Sequence, residues 1–186
     1  MSKEQLKTGQ IAPGFAAKSY KGEDVTLDGY RGEKLWLAFF RYASCPLCNN
    51  RIHEIIQRFT EFERAGIRIA AVFQSPPERI AEYVGTQNPP FPLVSDPELE
   101  LYGKYKIAEN KWGMWYPRVI TTFFKAKKNG FGPGPQDGPI ATIPGDFLID
   151  PEGLLWDVYY GKAISDHIPF KTVETFAADA CLDMPA

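Results

Sequence analysis

The chain alternates short apolar runs with stretches whose apolar residues recur at helical spacing. Leu35–Phe40 reads LWLAFF, an unbroken apolar run of the kind found in strands buried on both faces. From Cys48 to Ala65 the pattern changes: Ile52, Ile55, Ile56, Phe59 and Phe62 share one helical face, while Arg51, Glu54, Arg58 and Glu61 lie mostly off it. Gly66 is a natural stop. Ile67–Phe73 (IRIAAVF) predicts a second buried strand, Pro77–Val84 a short helix, Pro92–Val94 an edge segment and Glu98–Ile107 another helix. Asp146–Ile149 and Leu154–Tyr160 read as strands joined by the turn Asp150-Pro151-Glu152-Gly153. Phe170–Cys181 predicts a closing helix with Val173, Phe176, Ala177 and Ala180 inward. Strand, helix, strand asks for parallel strands with a right-handed crossover, and the terminal hairpin adds antiparallel ones. The expected fold class is α/β, a mixed central sheet flanked by helices on both faces.

Length and charge narrow the picture. One domain over residues 1–186 is expected for 186 residues. With 21 Lys plus Arg against 23 Asp plus Glu, the net charge is −2, which gives no electrostatic reason to bind nucleic acid. The opening MSKEQLKTGQIAPGF holds no apolar run, so no signal peptide is expected. No stretch reaches the roughly 20 apolar residues of a membrane span. Three cysteines are too few for a disulfide scaffold. A cytoplasmic protein is the expectation, and there a close cysteine pair points to redox or metal chemistry. Gly130–Pro139 (GFGPGPQDGP) reads as a loop or hinge.

That pair is Cys45-Pro46-Leu47-Cys48, placed after the first core strand and at the start of the first long helix. The free N–H groups and dipole of a helix start stabilise a thiolate. Cysteines three apart on one turn bring their Cα atoms near the approximately 5.5 Å that a disulfide needs. Cys45, at the helix mouth, is expected to be the more reactive thiol, and Cys48, one turn in, the more covered. Half a zinc site and two inert thiols are the competing readings. The only histidines, His53 and His167, form no close ligand pair with a cysteine or with each other.

Three segments together carry a resemblance: Gly9-Gln10-Ile11-Ala12-Pro13-Gly14-Phe15, then Leu27 with Tyr30-Arg31-Gly32, then FFRYASCPLC. They resemble the opening of the peroxiredoxin (alkyl hydroperoxide reductase/thiol-specific antioxidant) group of the thioredoxin superfamily. Ile143–Gly153 resembles the later stretch where that superfamily carries a cis proline before a strand and hairpin. Tyr159-Tyr160-Gly161 with Asp166-His167-Ile168-Pro169 looks like the branch called peroxiredoxin-like proteins. The resemblance implies a thioredoxin-like fold with residues 108–141 as an insertion before the terminal hairpin. It also implies peroxide reduction in which Cys45 attacks and Cys48 resolves, with Pro144 as the cis proline. No dissociable cofactor and no metal are implied. The implied partners are a peroxide or disulfide substrate and an external thiol reductant such as thioredoxin or glutathione, with a homodimer as a further possibility. Two departures stand out. Where peroxiredoxins have Pro-x-x-x-Thr-x-x-Cys, carrying the motif onto Cys45 puts Ala38 and Tyr42 at the Pro and Thr positions. Where thioredoxins have Trp before the first cysteine, Ser44 stands. A thioredoxin-like disulfide oxidoreductase and a redox-sensing binding module remain alternatives.

Other residues carry two readings each. Arg41 would favour a thiolate at Cys45 and stabilise a leaving oxygen, or is a strand-end ion pair. Arg118 is a second arginine candidate for the site. Asp166 and His167 would tune a thiol or shuttle a proton, or are a helix cap and a solvated imidazole. Trp112–Lys128 reads as a helix packed on its own domain or a dimer mate, or else as a lid, docking surface or membrane-facing patch. Cys181 is a spare thiol or an additional redox group.

Overall fold

The computed structural model describes residues 4–179. Its elements in chain order are β1 (Ala16–Lys18), β2 (Asp24–Thr26), β3 (Lys34–Phe39), α1 (Pro46–Arg64), β4 (Ile67–Phe73), α2 (Pro77–Glu82), β5 (Leu93–Ser95), α3 (Glu100–Lys104), α4 (Pro117–Lys128), β6 (Gly145–Ile149), β7 (Leu155–Tyr160) and α5 (Phe170–Ala178). Five strands form one sheet in the order β5-β4-β3-β6-β7. β3 and β4 run parallel, from Lys34↔Ile67 to Phe39↔Val72, while β6 lies antiparallel to both β3 and β7. β1 and β2 make a separate two-stranded hairpin that the apolar pattern does not announce, because three-residue strands are too short to show a period.

The sheet is buried on both faces, and the period of two sorts its side chains. Trp36, Ala38, Phe40, Ile69, Ala71, Phe73 and Leu148 face one layer with Ile52, Ile55 and Phe62 of α1 and Val173 and Phe176 of α5. Leu35, Leu37, Phe39, Ala70, Val72, Phe147 and Ile149 face the other, under Phe15, Val25, Leu101, Tyr102 and Tyr105. Each fully buried side chain of this size contributes about 1.5–3 kcal/mol, so the apolar stripe of α1 alone pins that helix to the sheet. Gly66, at φ 76°, ends it; a Cβ is disfavoured in that left-handed turn.

Three expectations change. The helix read over Glu98–Ile107 shrinks to α3, five residues long. It starts after Leu99 at φ 58°, where the Asp96 carboxylate accepts from the N–H groups of Glu100, Leu101 and Tyr102. Pro144 is not cis, since the described residues contain no cis peptide bond. Its carbonyl accepts from Gly161 N–H at 2.9 Å, so it ties the start of β6 to the end of β7 with ordinary trans geometry. The closing helix ends at Ala178, and Cys181 lies outside the described residues.

Candidate active site

Cys45 sits where β3 has ended and α1 begins. It is the N-cap of α1: its extended backbone turns into the helix, Pro46 takes the first helical position, and Cys48 N–H points at Cys45 Sγ from 3.4 Å. Asn49, one turn in, locks the approach, because its Nδ2 donates to Ala43 O at 2.7 Å and to Cys45 O at 3.0 Å. Ser75 Oγ at the end of β4 accepts from Ala43 N–H at 2.7 Å. The tip of the β3–α1 connection is thus fixed from two sides, and the sulfur it presents has little freedom.

Arg41 bridges this tip to the chain beyond α4. Its Nη2 donates to Cys45 Sγ at 2.8 Å and its Nη1 to Ile140 O at 2.6 Å. Only 4% of Arg41 is exposed. Burial disfavours its charge, but the facing sulfurs of Cys45 and Cys48 and the Tyr42 phenol outweigh this, and its pKa is raised. The guanidinium is therefore a permanent positive charge against the sulfur, which favours its role at Cys45 over a surface ion pair.

The two thiols are equally buried, Cys45 at 0% and Cys48 at 1%, yet they titrate apart. Burial pushes the Cys45 thiol up. The hydrogen bond from Cys48, the Arg41 charge and the Cys48 N–H pull it down further, to about 6. Cys48 goes the other way: burial raises it, and so do the hydrogen bond it gives to Cys45 and the negative charge there. One proton is shared by the pair and rests on Cys48. The expected difference in exposure is absent because residues 130–141 lie across the helix mouth. Ser44 Oγ donates to Pro135 O, Ser75 Oγ donates to Asp137 Oδ1 at 2.7 Å, and Arg41 holds Ile140. A Cβ on Gly134 would stand 2.7 Å from Ser44 Cβ and 2.9 Å from the Tyr83 ring, so this close approach needs glycine. The Gly/Pro composition of this segment signals a loop; only the fold shows that it closes over the β3–α1 tip that carries Cys45.

Tyr42 is 7% exposed and packs in the cluster that holds both cysteines. Its ring lies 5.3 Å from the Arg41 guanidinium, and the Gln136 side chain lies near its hydroxyl. No hydrogen bond among the described residues joins that hydroxyl to Cys45. Burial, then the nearby Cys45 sulfur, raise its pKa, so it is a neutral phenol. Pro144 and His167 make no hydrogen bond to either sulfur. His167 Nδ1 is 3.0 Å from Asp146 Oδ2, with its ring tilted on Phe40 at 4.6 Å. Asp146 is fully buried and also accepts from Trp36 Nε1 at 2.9 Å and Ile168 N–H at 2.9 Å. Burial raises its carboxyl, but His167 and Arg51 outweigh that and hold it below the usual range. A carboxylate only accepts, so His167 Nδ1 carries the proton. This network anchors the loop after β7 to the centre of the sheet; nothing local in the sequence marks Asp146 for it. Arg118 is 3.4 Å from Asp166, not from a thiol. His53 pairs with Gln57 at 3.0 Å. Among the described residues no group of three or more His, Cys, Asp or Glu gathers to hold a metal.

The chain matches the model of the AhpC/TSA family over residues 8–158. It is 25% identical over 164 residues to a putative peroxiredoxin of Mycobacterium tuberculosis, covering 88% of this chain and 91% of the relative. It is 26% identical over 162 residues to peroxiredoxin Bcp of Escherichia coli, covering 87% and 90%. Its fold is similar to that of the peroxidoxin BcpB of Mycobacterium tuberculosis, with a TM-score of 0.69 at 15% identity over 94% of this chain and 97% of that one. A PrxQ of Xylella fastidiosa is similar at a TM-score of 0.68 and 16% identity, over 95% and 96%. The buried thiolate beside an arginine and the family match over most of the length lead to one conclusion: the chain belongs to the AhpC/TSA family, the peroxiredoxins, thiol-dependent peroxidases of thioredoxin-like fold.

Proposed function

We propose that Cys45 is the peroxide-reducing thiolate and Cys48 its resolving partner. The observation that carries this is the 2.8 Å contact from Arg41 Nη2 to Cys45 Sγ. The thiolate attacks one peroxide oxygen; the S–O bond forms as the O–O bond breaks, and the leaving alkoxide or hydroxide takes a proton from solvent. Arg41 offsets the charge that moves from sulfur to the departing oxygen. Cys45 is then a sulfenic acid. Cys48, relieved of a thiolate neighbour, loses its proton and attacks Cys45 sulfur; the S–S bond forms and water leaves. An external dithiol such as thioredoxin, or two molecules of a glutathione-like thiol, returns both cysteines to thiols and is itself oxidised. This demand for a reductant fits the cytoplasm. Residues 1–186 act as one domain, with residues 108–141 as an insertion that supplies the roof. Both sulfurs are buried and Pro135, Asp137 and Ile140 are tied to Ser44, Ser75 and Arg41 around Cys45, so this segment must move before substrate or reductant reaches Cys45.

Disulfide exchange through the same pair is the second reading. Tyr42 favours it, because its hydroxyl makes no hydrogen bond to Cys45 and stands where the family motif has a threonine, a loss that exchange does not feel. Steady-state peroxide consumption with a thioredoxin system tests the scheme. Cys45→Ser is expected to abolish turnover. Cys48→Ser is expected to consume one peroxide per chain and stop, with a trappable sulfenic acid on Cys45. Full turnover by Cys45→Ser, or sulfenic acid on Cys48 in the native chain, reverses the assignment.

A further inference from the structure

Residues 111–128 leave large apolar side chains outside the fold. Trp112 and Trp115 are 79% and 81% exposed, Ile120 is 62% and Phe124 is 65%. The same segment carries no Asp or Glu; Arg118 and Lys125 pair with Asp166 and Glu54, and Lys111, Lys127 and Lys128 make no ion pair among the described residues, in a chain of net charge −2. Helix α4 turns Ala126 and Val119 inward. Tyr116, Ile120, Phe124 and Lys128 follow one another at i+4, and Lys127 lies three residues past Phe124. At 3.6 residues per turn Ile120, Phe124 and Lys128 fall on the side away from Ala126, Lys127 lies on the flank, and Tyr116 caps the start of the helix. The outward surface is therefore apolar and aromatic along its length and cationic at its C-terminal end. The core is closed without it.

We propose that this face docks in the plane of an anionic lipid bilayer surface. Trp and Tyr favour the headgroup level, where an apolar ring and a polar N–H or O–H are both satisfied. A surface helix with Ile and Phe outward and lysines beside them is the chemistry that lies on a membrane. Lysines next to it gain attraction from anionic headgroups. A second copy of the chain fits poorly. A two-fold contact places the same patch against itself, and the segment carries no Asp or Glu to pair with the lysines of a second copy. Helix α4 has 12 residues, and no helix among the described residues is long and apolar enough to cross a membrane. The contact is thus one of lying on the surface.

The test is flotation of the full-length protein with phosphatidylcholine vesicles, with and without phosphatidylglycerol. Tryptophan emission is followed in parallel. The native chain is expected to float with the anionic vesicles only, with emission shifted to the blue. Lys127→Glu with Lys128→Glu is expected to weaken binding at least about tenfold, given about fivefold per lysine near an anionic surface. Trp115→Ala with Phe124→Ser is expected to abolish the binding and the blue shift. Both variants should keep the native melting temperature and turnover of a small peroxide, which separates this docking from the redox chemistry. Three outcomes overturn the proposal: a native chain that binds neither vesicle, equal binding to both, or variants that bind as the native chain does. So does a dimer in sedimentation that Trp115→Ala with Phe124→Ser dissolves, which gives the face to a second copy.

Discussion

The sheet with α1 and the segment over residues 108–141 draw on the same kinds of residue and use them in opposite ways. In the first, Trp36, Phe39, Phe40, Phe73 and Phe147 are at 0% exposure. In the second, Trp112, Trp115 and Phe124 stand in solvent, and only Ala126 of α4 is buried. Aromatic content alone therefore says nothing about core membership. What decides is whether backbone pairing places a residue between two covered faces, as in β3, or on a helix with a single inward stripe. The two regions meet at Arg41, whose guanidinium holds Cys45 from the framework and Ile140 from the covering segment.

The sharpest way to break this contrast is to truncate one aromatic from each region. Phe40→Ala removes a ring stacked on Phe73 at 5.0 Å and packed on His167, and is expected to cost about 3–5 kcal/mol in denaturant unfolding. Phe124→Ala is expected to stay within about 0.5 kcal/mol. Similar losses at the two positions would show that α4 belongs to the core.

Asp146 tests the framework through pH. Its folded pKa lies below that of the unfolded chain, so the unfolded state takes up protons first on acidification. Its contribution is complete above the ordinary carboxylate range and is lost as pH falls through the folded value. Asp146→Asn is expected to cost about 1–3 kcal/mol at neutral pH, because an amide cannot accept from Trp36, His167 and Ile168 as a carboxylate does. The gap from the native chain should shrink in acid; a gap independent of pH would contradict the ionic role. A smaller effect is expected at Tyr42. Tyr42→Thr is expected to raise the peroxide rate about tenfold, part of the 10²–10³ that one transition-state donor is worth. It should leave exchange with a small disulfide nearly unchanged. A lower peroxide rate would show that the phenol already serves the oxygen.

The contrast also marks what could be read along the chain. The framework was legible because burial on both faces writes itself as unbroken apolar runs, and α1 as a 3-and-4 spacing. The cysteine pair was legible because its chemistry depends on a local placement at a helix start. Contacts between distant segments were not: Ser44 with Pro135, Arg41 with Ile140, and Trp36 with Asp146, which are 110 residues apart. In each, nothing local marks the distant partner, even where Arg41 or Ser44 stands out beside the cysteines. The trans Pro144 shows the limit of resemblance, since a matching motif did not carry its backbone geometry. The outward aromatics of α4 show the limit of composition.

The central claim is that Arg41 and Cys48 hold Cys45 as a thiolate inside a covered site. It is tested most directly by ultraviolet thiolate titration of a chain carrying Cys48→Ser and Cys181→Ser. That chain has Cys45 as its single thiol and keeps a hydroxyl donor at position 48. Its thiolate signal is expected to develop well below the free cysteine value of about 8.5. Adding Arg41→Met should move it upward by a unit or more, because an adjacent opposite charge shifts a pKa by roughly 1–3 units. A titration near the free value in both chains would contradict the account.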